Sequence, residues 1–311
     1  MNREYPSLLD DFTEDCELRN WTSESIRRYK SCLLIFSGFL NRKGVEFMDV
    51  QKHVLKDFLR YLRNERRVKP TTIENYFASI NAFYEFLLDE GRVGVNIVPQ
   101  FRKKYLNGYK KEDGKTNRRK IITPREMSEF LNSIMNPRDK AIATLLVKTG
   151  IRRGELSDID LEDINWRTNA LELKDKKKRS NTTVYFDNEC AKILRQWIGI
   201  RDRMYVEEGN DALFLGQGGR RLGRHGIAVA IVNWAIKKGH YDTTSKENKD
   251  HFSPHNMRHC FTTYLLEHGM DREYVKELRG DARKDAVDIY NHISKEKLRE
   301  AYLAAMPQFG L

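Results

Sequence analysis

Residues 253–261, in the second half of the chain, read Ser253-Pro254-His255-Asn256-Met257-Arg258-His259-Cys260-Phe261. Proline suits the first turn of a helix, and Ser253 stands where a cap is expected. The pattern therefore predicts a helix with His255 and Arg258 on one face, because they are three residues apart. An imidazole and a guanidinium on one face form a site for an oxyanion or a phosphate. A solvated helix face is the alternative for this pattern alone, since His-x-x-Arg is common by chance.

Three further stretches accompany this helix, and their order, spacing and flanking residues form a recognisable set. They are Thr149-Gly150-Ile151-Arg152-Arg153-Gly154-Glu155-Leu156, a lysine-rich hairpin from Leu171 to Phe186, and Asp288-Ile289-Tyr290-Asn291-His292. Together they resemble the tyrosine recombinases, also called the phage integrase family, and the resemblance covers nearly the whole chain. It implies a mainly α-helical protein. An N-terminal helical-bundle core-binding domain, of the SAM-like type, would precede a C-terminal, mostly helical catalytic domain with a small antiparallel β-sheet.

Composition sets the class of protein. The 311 residues suffice for two domains with separate cores, and 56 Lys plus Arg against 45 Asp plus Glu give a net charge of +11. Such an excess favours a polyanionic partner, although charge alone does not separate DNA from RNA or a membrane. The chain has no apolar run of membrane-spanning length, and its first 17 residues are acidic, unlike a signal peptide. We therefore expect a cytoplasmic, nucleoid-associated protein without a membrane partner.

Cysteine usage indicates reduced thiols. The four cysteines, Cys16, Cys32, Cys190 and Cys260, show no Cys-x-x-Cys spacing. This argues against a zinc site and against a disulfide framework.

Apolar residues at spacings of three and four predict a helical bundle between Leu8 and Gly91, without strands. The predicted helices cover residues 22–40, about 50–66 and about 70–88. We place the first domain at residues 1–100, a basic linker at 101–121 and the second domain at 122–311. The linker is inferred from its many lysines and arginines and its few apolar residues.

The resemblance also implies residues that bind DNA. In the first domain, phosphate contacts are expected from Lys69, Thr71, Thr72, Asn75 and Tyr76, and a solvated basic face is the alternative. In the second domain the glycine-rich loop 216–223 lacks the Gly-Lys-Ser/Thr ending of a nucleotide-binding P-loop. We expect its Arg220 and Arg221, with Arg224, to contact DNA.

The catalytic residues follow from the family pattern in the same way. Arg152 and Arg258 match the two arginines that clamp the phosphate, His255 lies beside them, and Tyr290 occupies the position of the nucleophile. Alignment of the hairpin strands assigns the general acid to Lys176. Its neighbours Lys174, Lys177 and Lys178 remain alternatives for that role and candidates for phosphate contacts. Glu155, three residues after Arg152, is placed to hold that guanidinium.

One position departs from the family pattern. Members commonly have Leu-Gly-His where this chain has Arg279-Gly280-Asp281, so that a histidine or tryptophan position falls on Asp281, as in archaeal members that this variant resembles. An ionised carboxylate only accepts hydrogen bonds and repels a phosphate. Asp281 could orient Arg258 or His255, accept the proton of Tyr290, stay protonated, or mark a loss of activity.

The expected function is site-specific recombination of DNA through a 3′-phosphotyrosine intermediate, with no cofactor, neither ATP nor a metal ion. The resemblance implies a double-stranded DNA site and four protomers on two such sites. It also implies exchange of the last amphipathic helix, Ser294 to Met306, between protomers; packing of that helix on its own domain is the alternative. Two other functions stay open: a topoisomerase-like relaxing enzyme and a DNA-binding protein that no longer cuts.

Overall fold

The computed structural model describes residues 5–107, 120–174, 181–245, 247–281 and 293–311, with side chains from residue 8 onward. The chain divides into two compact units, residues 1–117 and 118–311. Each unit encloses its own hydrophobic core.

The first unit is a helical bundle. Its helices are α1 (Tyr5–Leu18), α2 (Ser23–Lys43), α3 (Lys52–Arg60), α4 (Pro70–Asp89) and α5 (Val98–Tyr105). A short 3₁₀ turn spans Phe47–Asp49, and α3 continues as a π-helical turn, Tyr61–Glu65. Residues 5–107 contain no strand, as the helical spacing of their apolar residues predicted.

Helix α5 lies where the sequence placed the start of a linker. Phe101 and Leu106 are fully enclosed in the core of the first unit, and the Phe101 ring stacks on Phe77 with centroids 5.2 Å apart. Between these two residues Lys103 and Lys104 are exposed and Arg102 pairs with Glu74 at 3.3 Å. These three basic residues gave the segment its linker-like composition. Val98 and Phe101, three residues apart on one face of this short helix, are buried and anchor it, so the first unit extends beyond residue 100.

The second unit is also mainly helical. Its helices are α6 (Pro124–Asn132), α7 (Pro137–Thr149), α8 (Arg153–Ser157), α9 (Asn188–Arg201), α10 (Arg224–Lys237), α11 (Pro254–Glu267), α12 (Arg272–Arg279) and α13 (Lys295–Ala305). Short 3₁₀ turns lie at Leu161–Asp163, Gln217–Gly219 and Asn248–Asp250.

A small antiparallel sheet completes this unit. Its strands are β1 (Ile164–Asn165), β2 (Ala170–Glu172) and β3 (Thr183–Tyr185), hydrogen bonded in that order, with Leu171 opposite Val184. Two helical units and this sheet confirm the predicted fold class.

Helix α7 is the centre of the second unit. Ten of its residues are buried, and it packs against α9 and α11. Gly150 ends the helix in the left-handed conformation, with φ of +61°, and a Cβ at this position would lie 2.3 Å from the Phe261 ring. Only glycine fits both requirements. The chain therefore turns sharply out of the core at Gly150, which places Arg152 at the surface beside α11.

Two helices of this unit begin with a cap, one at Thr123 and one at Ser253, where the sequence predicted it. The Thr123 hydroxyl accepts a hydrogen bond from the Glu126 backbone N–H at 3.2 Å, and Glu126 accepts one from the Thr123 N–H at 2.7 Å. Ser253 stands at the N-cap of α11, where the Asn256 side chain accepts from the Ser253 N–H at 3.1 Å. These caps fix the starting points of α6 and α11.

Helix α13 packs on its own unit. Leu298, Tyr302, Ala305 and Met306 are buried, and the Tyr302 hydroxyl donates to the Lys148 carbonyl at 2.9 Å. Of the two alternatives for this helix, the structure thus contains the intramolecular one.

Two further findings concern the chain as a whole. All four cysteines are free, with Cys32 partly exposed and the other three buried. In the described parts of the chain, no helix combines the length and the apolarity that crossing a bilayer requires.

Candidate active site

A groove of about 660 Å³ opens on the second unit where the segment after α7 meets the first turns of α11. Arg152, His255 and Arg258 all line it. The sequence predicted that these three side chains come together, and the groove brings two guanidinium groups and an imidazole to one surface.

Arg258 is the buried cation of the groove, with 6% of its side chain exposed. Its Nη1 donates to the Gly150 carbonyl at 2.5 Å, and its Nη2 donates to the Arg279 carbonyl at 2.8 Å. Burial, with the nearby charges of Arg152 and Arg279, lowers the pKa of this guanidinium to about 10. Arg258 is still protonated at neutral pH, and the two carbonyls that hold it are neutral, so they do not cancel its charge.

Arg152 is held by a carboxylate. Glu155 is buried and accepts the Arg152 backbone N–H at 2.7 Å through one oxygen and the Arg152 Nη1 at 2.9 Å through the other. The spacing of three residues predicted this contact. With 42% of its side chain exposed, Arg152 keeps the rest of its guanidinium at the surface of the groove.

His255 forms a pair with His259. Their Nε2 atoms are 3.2 Å apart, and the rings meet edge to face with centroids 4.7 Å apart. At this distance one nitrogen donates and the other accepts, so His259 restricts the orientation and the tautomer of His255. His259 was not predicted as a site residue, although its position one helical turn after His255 indicates that the two rings can meet on one face of the helix.

Asp281 reaches both arginines. Its Oδ1 lies 3.4 Å from Arg258 Nη2 and 3.7 Å from Arg152 Nη2, and its Oδ2 lies 3.0 Å from Arg279 Nε. Of the roles left open for this residue, contact with Arg258 is the one that the described structure contains. Arg279, the last residue of α12, was missed from sequence because its side chain joins the groove only through tertiary packing.

Comparison with known proteins assigns the family. The model of the phage integrase family matches residues 120–297, and two models of the N-terminal SAM-like domain of phage integrases match residues 8–91 and 55–133. The chain belongs to the phage integrase family. It is a tyrosine site-specific recombinase.

Relatives of the recombinase span its whole length. The tyrosine recombinase XerC of Corynebacterium glutamicum is 28% identical over 309 residues, which cover 97% of this chain and 92% of that protein. XerC of Staphylococcus aureus strain JH9 is 26% identical and covers 93% of each chain.

Solved structures share the fold. The Tn1549 transposon integrase in complex with circular intermediate DNA aligns over 94% of this chain and 98% of that chain, with a TM-score of 0.67 and 17% identity. A lambda integrase dimer bound to a COC′ core site aligns over 94% and 99%, with a TM-score of 0.66 and 15% identity.

Two basic residues that were predicted to contact DNA, Lys174 and Arg221, form ion pairs with Asp160 of the same unit. Arg221 pairs with Asp160 and donates to the carbonyls of Ser157 at 3.0 Å and Ile159 at 3.3 Å. Lys174 pairs with the same Asp160 at 2.5 Å. The Arg221 guanidinium thus fastens the loop 216–223 to the segment before the sheet, and contact of Arg221 and Lys174 with DNA stays a prediction.

Arg220 differs from its neighbour. Its side chain is 75% exposed and pairs with Glu207 at 3.2 Å. It lies on the surface and stays a predicted DNA contact.

Several predicted residues lie outside the described residues: Lys176, Lys177, Lys178 and Tyr290. The base of the lysine hairpin is described. There the Asn181 side-chain amide donates to the Thr183 carbonyl at 2.7 Å and to the Glu277 carbonyl at 3.3 Å. The hairpin base is therefore tied to α12, the helix that ends beside Asp281.

In the first unit, the predicted phosphate contacts lie at the beginning of α4. Lys69 is its N-cap, Thr71 and Asn75 are exposed, and Thr72 is half-buried. Tyr76 does not fit its predicted role, because it is buried and its ring meets Phe58 edge to face in the core. Its spacing from Ile73 and Phe77 is that of a core residue.

No group of three or more His, Cys, Asp or Glu side chains within the described segments is arranged to hold a metal ion.

Proposed function

We propose that the recombinase cuts and rejoins DNA strands at a specific site through a covalent 3′-phosphotyrosine formed by Tyr290, without ATP or a metal ion. The observation that carries the proposal is the convergence of Arg152, Arg258 and His255 on one groove. A phosphodiester under attack gathers negative charge on its non-bridging oxygens, and these three side chains supply donors and positive charge for it.

In the proposed reaction one bond to phosphorus forms while another breaks. The Tyr290 oxygen forms a bond to phosphorus while the bond from phosphorus to the 5′ oxygen breaks, and the phenol proton leaves to water. Lys176 is our candidate for the acid that protonates the departing 5′ oxygen. The phosphotyrosine keeps the energy of the broken ester, so that the 5′-hydroxyl of another strand reverses the step and seals the DNA.

A phenol is a weak nucleophile at neutral pH, because its pKa is near 10. The cationic groove compensates for this by stabilising the charge that develops in the transition state. Removal of one such donor typically slows a reaction by about a hundred- to a thousandfold.

Double-stranded DNA is the proposed partner. The net charge of +11 supports it, as do the Tn1549 and lambda integrases, which share the fold and were solved with DNA. In the first unit we assign phosphate contacts to Lys69, Thr71, Thr72 and Asn75. An enzyme with this substrate works where the DNA is, so we place it on the nucleoid.

We propose assembly as four protomers on two DNA sites, linked by exchange of the segment 293–311. In the described structure this segment fills buried positions of its own unit. Exchange would transfer the same contacts to a neighbouring copy, which makes it a domain swap with little change in contact energy.

The test is formation of the covalent intermediate. We expect a nicked, end-labelled duplex made from DNA flanking the gene to yield a protein–DNA adduct on denaturing gels with the wild-type protein. Tyr290→Phe should yield none, because phenylalanine lacks the oxygen that attacks phosphorus. Tyr205→Phe, which alters an exposed tyrosine of the same unit, is the matched control and should form the adduct normally.

Each outcome selects one function. Binding of the duplex without an adduct from any variant would favour the non-cutting DNA-binding protein, for which the carboxylate of Asp281 beside the arginines is the supporting observation. If an adduct forms, strand exchange between two duplexes separates a recombinase from a topoisomerase-like enzyme, which relaxes a single duplex.

A further inference from the structure

The carboxylate of Asp281 lies where the groove offers positive charge to a ligand. One oxygen, Oδ1, faces Arg258 Nη2 at 3.4 Å and Arg152 Nη2 at 3.7 Å. These are the two guanidinium groups to which the proposed function assigns the phosphate. We call the space between them the anion site.

The second carboxylate beside these arginines, that of Glu155, behaves differently. Glu155 is buried, and both of its oxygens accept hydrogen bonds from Arg152 at 2.7 and 2.9 Å. Asp281 is 35% exposed, and its distances to the two arginines are at or beyond the limit of a hydrogen bond. Glu155 is thus a fixed part of the groove, whereas the hold of Asp281 on the anion site is weak.

Asp281 has a second partner that does not depend on the anion site. Its other oxygen, Oδ2, lies 3.0 Å from Arg279 Nε. This contact is an ion pair without a hydrogen bond from Nε, and its charge attraction can keep the carboxylate beside Arg279 after Oδ1 leaves Arg152 and Arg258. The Asp281 side chain can therefore leave Arg152 and Arg258 and still lie beside Arg279.

The charges around the anion site favour the presence of a carboxylate when no phosphate is bound. Arg152, Arg258 and Arg279 bring three positive charges together, and Glu155 and Asp281 bring two negative ones. A buried guanidinium without a nearby anion is costly, so an empty groove needs a substitute for the phosphate. A phosphodiester carries one negative charge and replaces one carboxylate without changing this balance.

We propose that Asp281 fills the anion site of the DNA-free protein and is displaced from Arg152 and Arg258 by a phosphate, staying paired with Arg279. This inference rests on the proposed function, because it uses the same two arginines. It gives Asp281 a positioning and gating role in place of the donor role of a histidine. Phosphate then binds only to the fraction of molecules in which Asp281 has moved, which weakens its apparent affinity by that fraction.

Inorganic phosphate is the probe, used with the full-length protein. Thermal unfolding is followed at increasing phosphate concentration, with chloride added to hold the ionic strength constant, since a ligand of the folded state raises the melting temperature. In Asp281→Asn we expect the half-maximal rise at a phosphate concentration roughly two- to fivefold lower than in wild type, as fits a partly exposed ion pair. Asp281→His, which introduces the residue common in the family, should move it in the same direction.

Two controls separate the site from net charge and from fold. Glu273→Gln removes a carboxylate of α12 that pairs with Lys276 at 2.6 Å, on the surface of the helix that ends beside Asp281. It makes the same change in net charge and should leave the phosphate response unchanged. Arg152→Gln combined with Asp281→Asn should remove the response, because one half of the anion site is gone.

The possible failures are distinguishable. An equal or weaker phosphate response in Asp281→Asn than in wild type, with the response still dependent on Arg152, overturns the role of Asp281 and leaves the proposed function standing. A response that is absent in every variant, or that persists without Arg152, overturns the anion site itself and with it both proposals.

Discussion

Lys148 and Arg258 are two buried cations in one unit, and they are satisfied in opposite ways. Lys148 is completely enclosed, and its Nζ donates to Asp187 at 2.5 Å, to Glu189 at 2.8 Å and to the Pro307 carbonyl at 2.8 Å. An ammonium group has three N–H donors, and all three are used. Arg258 instead donates to two neutral carbonyls and reaches its carboxylate, Asp281, only at 3.4 Å.

The difference separates structure from function. Two carboxylates compensate the charge of Lys148, and one of them, Glu189, also accepts the backbone N–H groups of Phe309, Gly310 and Leu311. This network fastens the segment after α13 to the core. Around Arg258, burial is the largest cause that lowers the pKa to about 10, and the charges of Arg152 and Arg279 lower it further. The complete set of partners around Lys148 fits a structural role, and the weaker pairing of Arg258 fits the phosphate-binding role that we propose for it.

The largest effect on stability is expected when Lys148 is replaced. Lys148→Met leaves the buried Asp187 and the partly buried Glu189 without their cation, and we expect the second unit to lose about 3–5 kcal/mol of unfolding free energy. Denaturant unfolding monitored by tryptophan fluorescence measures it. Lys238→Met, at an exposed position after α10, is the control and should change stability by less than about 0.5 kcal/mol. Equal stability of the two variants would show that the Lys148 network contributes nothing to the fold.

For Arg152 we expect the opposite pattern: its loss lowers the rate of adduct formation and leaves the stability of the fold nearly unchanged. Arg152→Gln should slow adduct formation by about a hundred- to a thousandfold, because one donor to the transition state is lost. Its unfolding free energy should change by no more than about 1 kcal/mol, as the side chain is 42% exposed. Single-turnover adduct assays and denaturant unfolding on one preparation give both values.

Arg125→Gln is the matched control for that experiment, since Arg125 forms an exposed ion pair with Glu129 on α6. It should keep both the rate and the stability. The distinction between the two cations fails if Arg152→Gln unfolds as easily as Lys148→Met while it cleaves at the wild-type rate.

Local sequence patterns predicted most of the helices and the main residues of the groove. Helical spacing, the capping residues at Thr123 and Ser253, and the order of Arg152, His255 and Arg258 are readable over short distances along the chain. The end of the first unit was misplaced because α5 has only two strongly anchored apolar residues among many basic ones. Composition over such a short window describes the surface of a helix and not what holds it.

The partners of the two buried cations were not readable. Lys148 meets Glu189 and Pro307, and Arg258 meets the carbonyl of Gly150, across separations of tens of residues or more. Backbone carbonyls leave no trace in a sequence, since every residue has one. For the same reason the role of Asp281 stayed open until its distances to Arg152, Arg258 and Arg279 were known.

The smallest effect that we expect is a change of stability with pH as Glu189, a partner of Lys148, titrates. Burial alone would raise the pKa of Glu189, but hydrogen bonds from Lys148 and from the Phe309 and Leu311 N–H groups, with the charge of Lys148, lower it below its ordinary value of 4.5. A carboxylate with a lower pKa in the folded protein adds stability that is fully present above the unfolded pKa. That stability is lost as the pH falls through the folded pKa.

The wild type should therefore lose its stability advantage over Glu189→Gln once the pH falls below 4.5. Melting temperatures of both proteins from about pH 6 to about pH 3 measure this difference. Glu129→Gln, which removes the exposed carboxylate beside Arg125, controls for the change in net charge. A difference between wild type and Glu189→Gln that stays constant over this range would mean that Glu189 does not titrate with the fold. The segment 307–311 would then be held by packing of Phe309, and the completeness of the Lys148 partners would not be what separates it from Arg258.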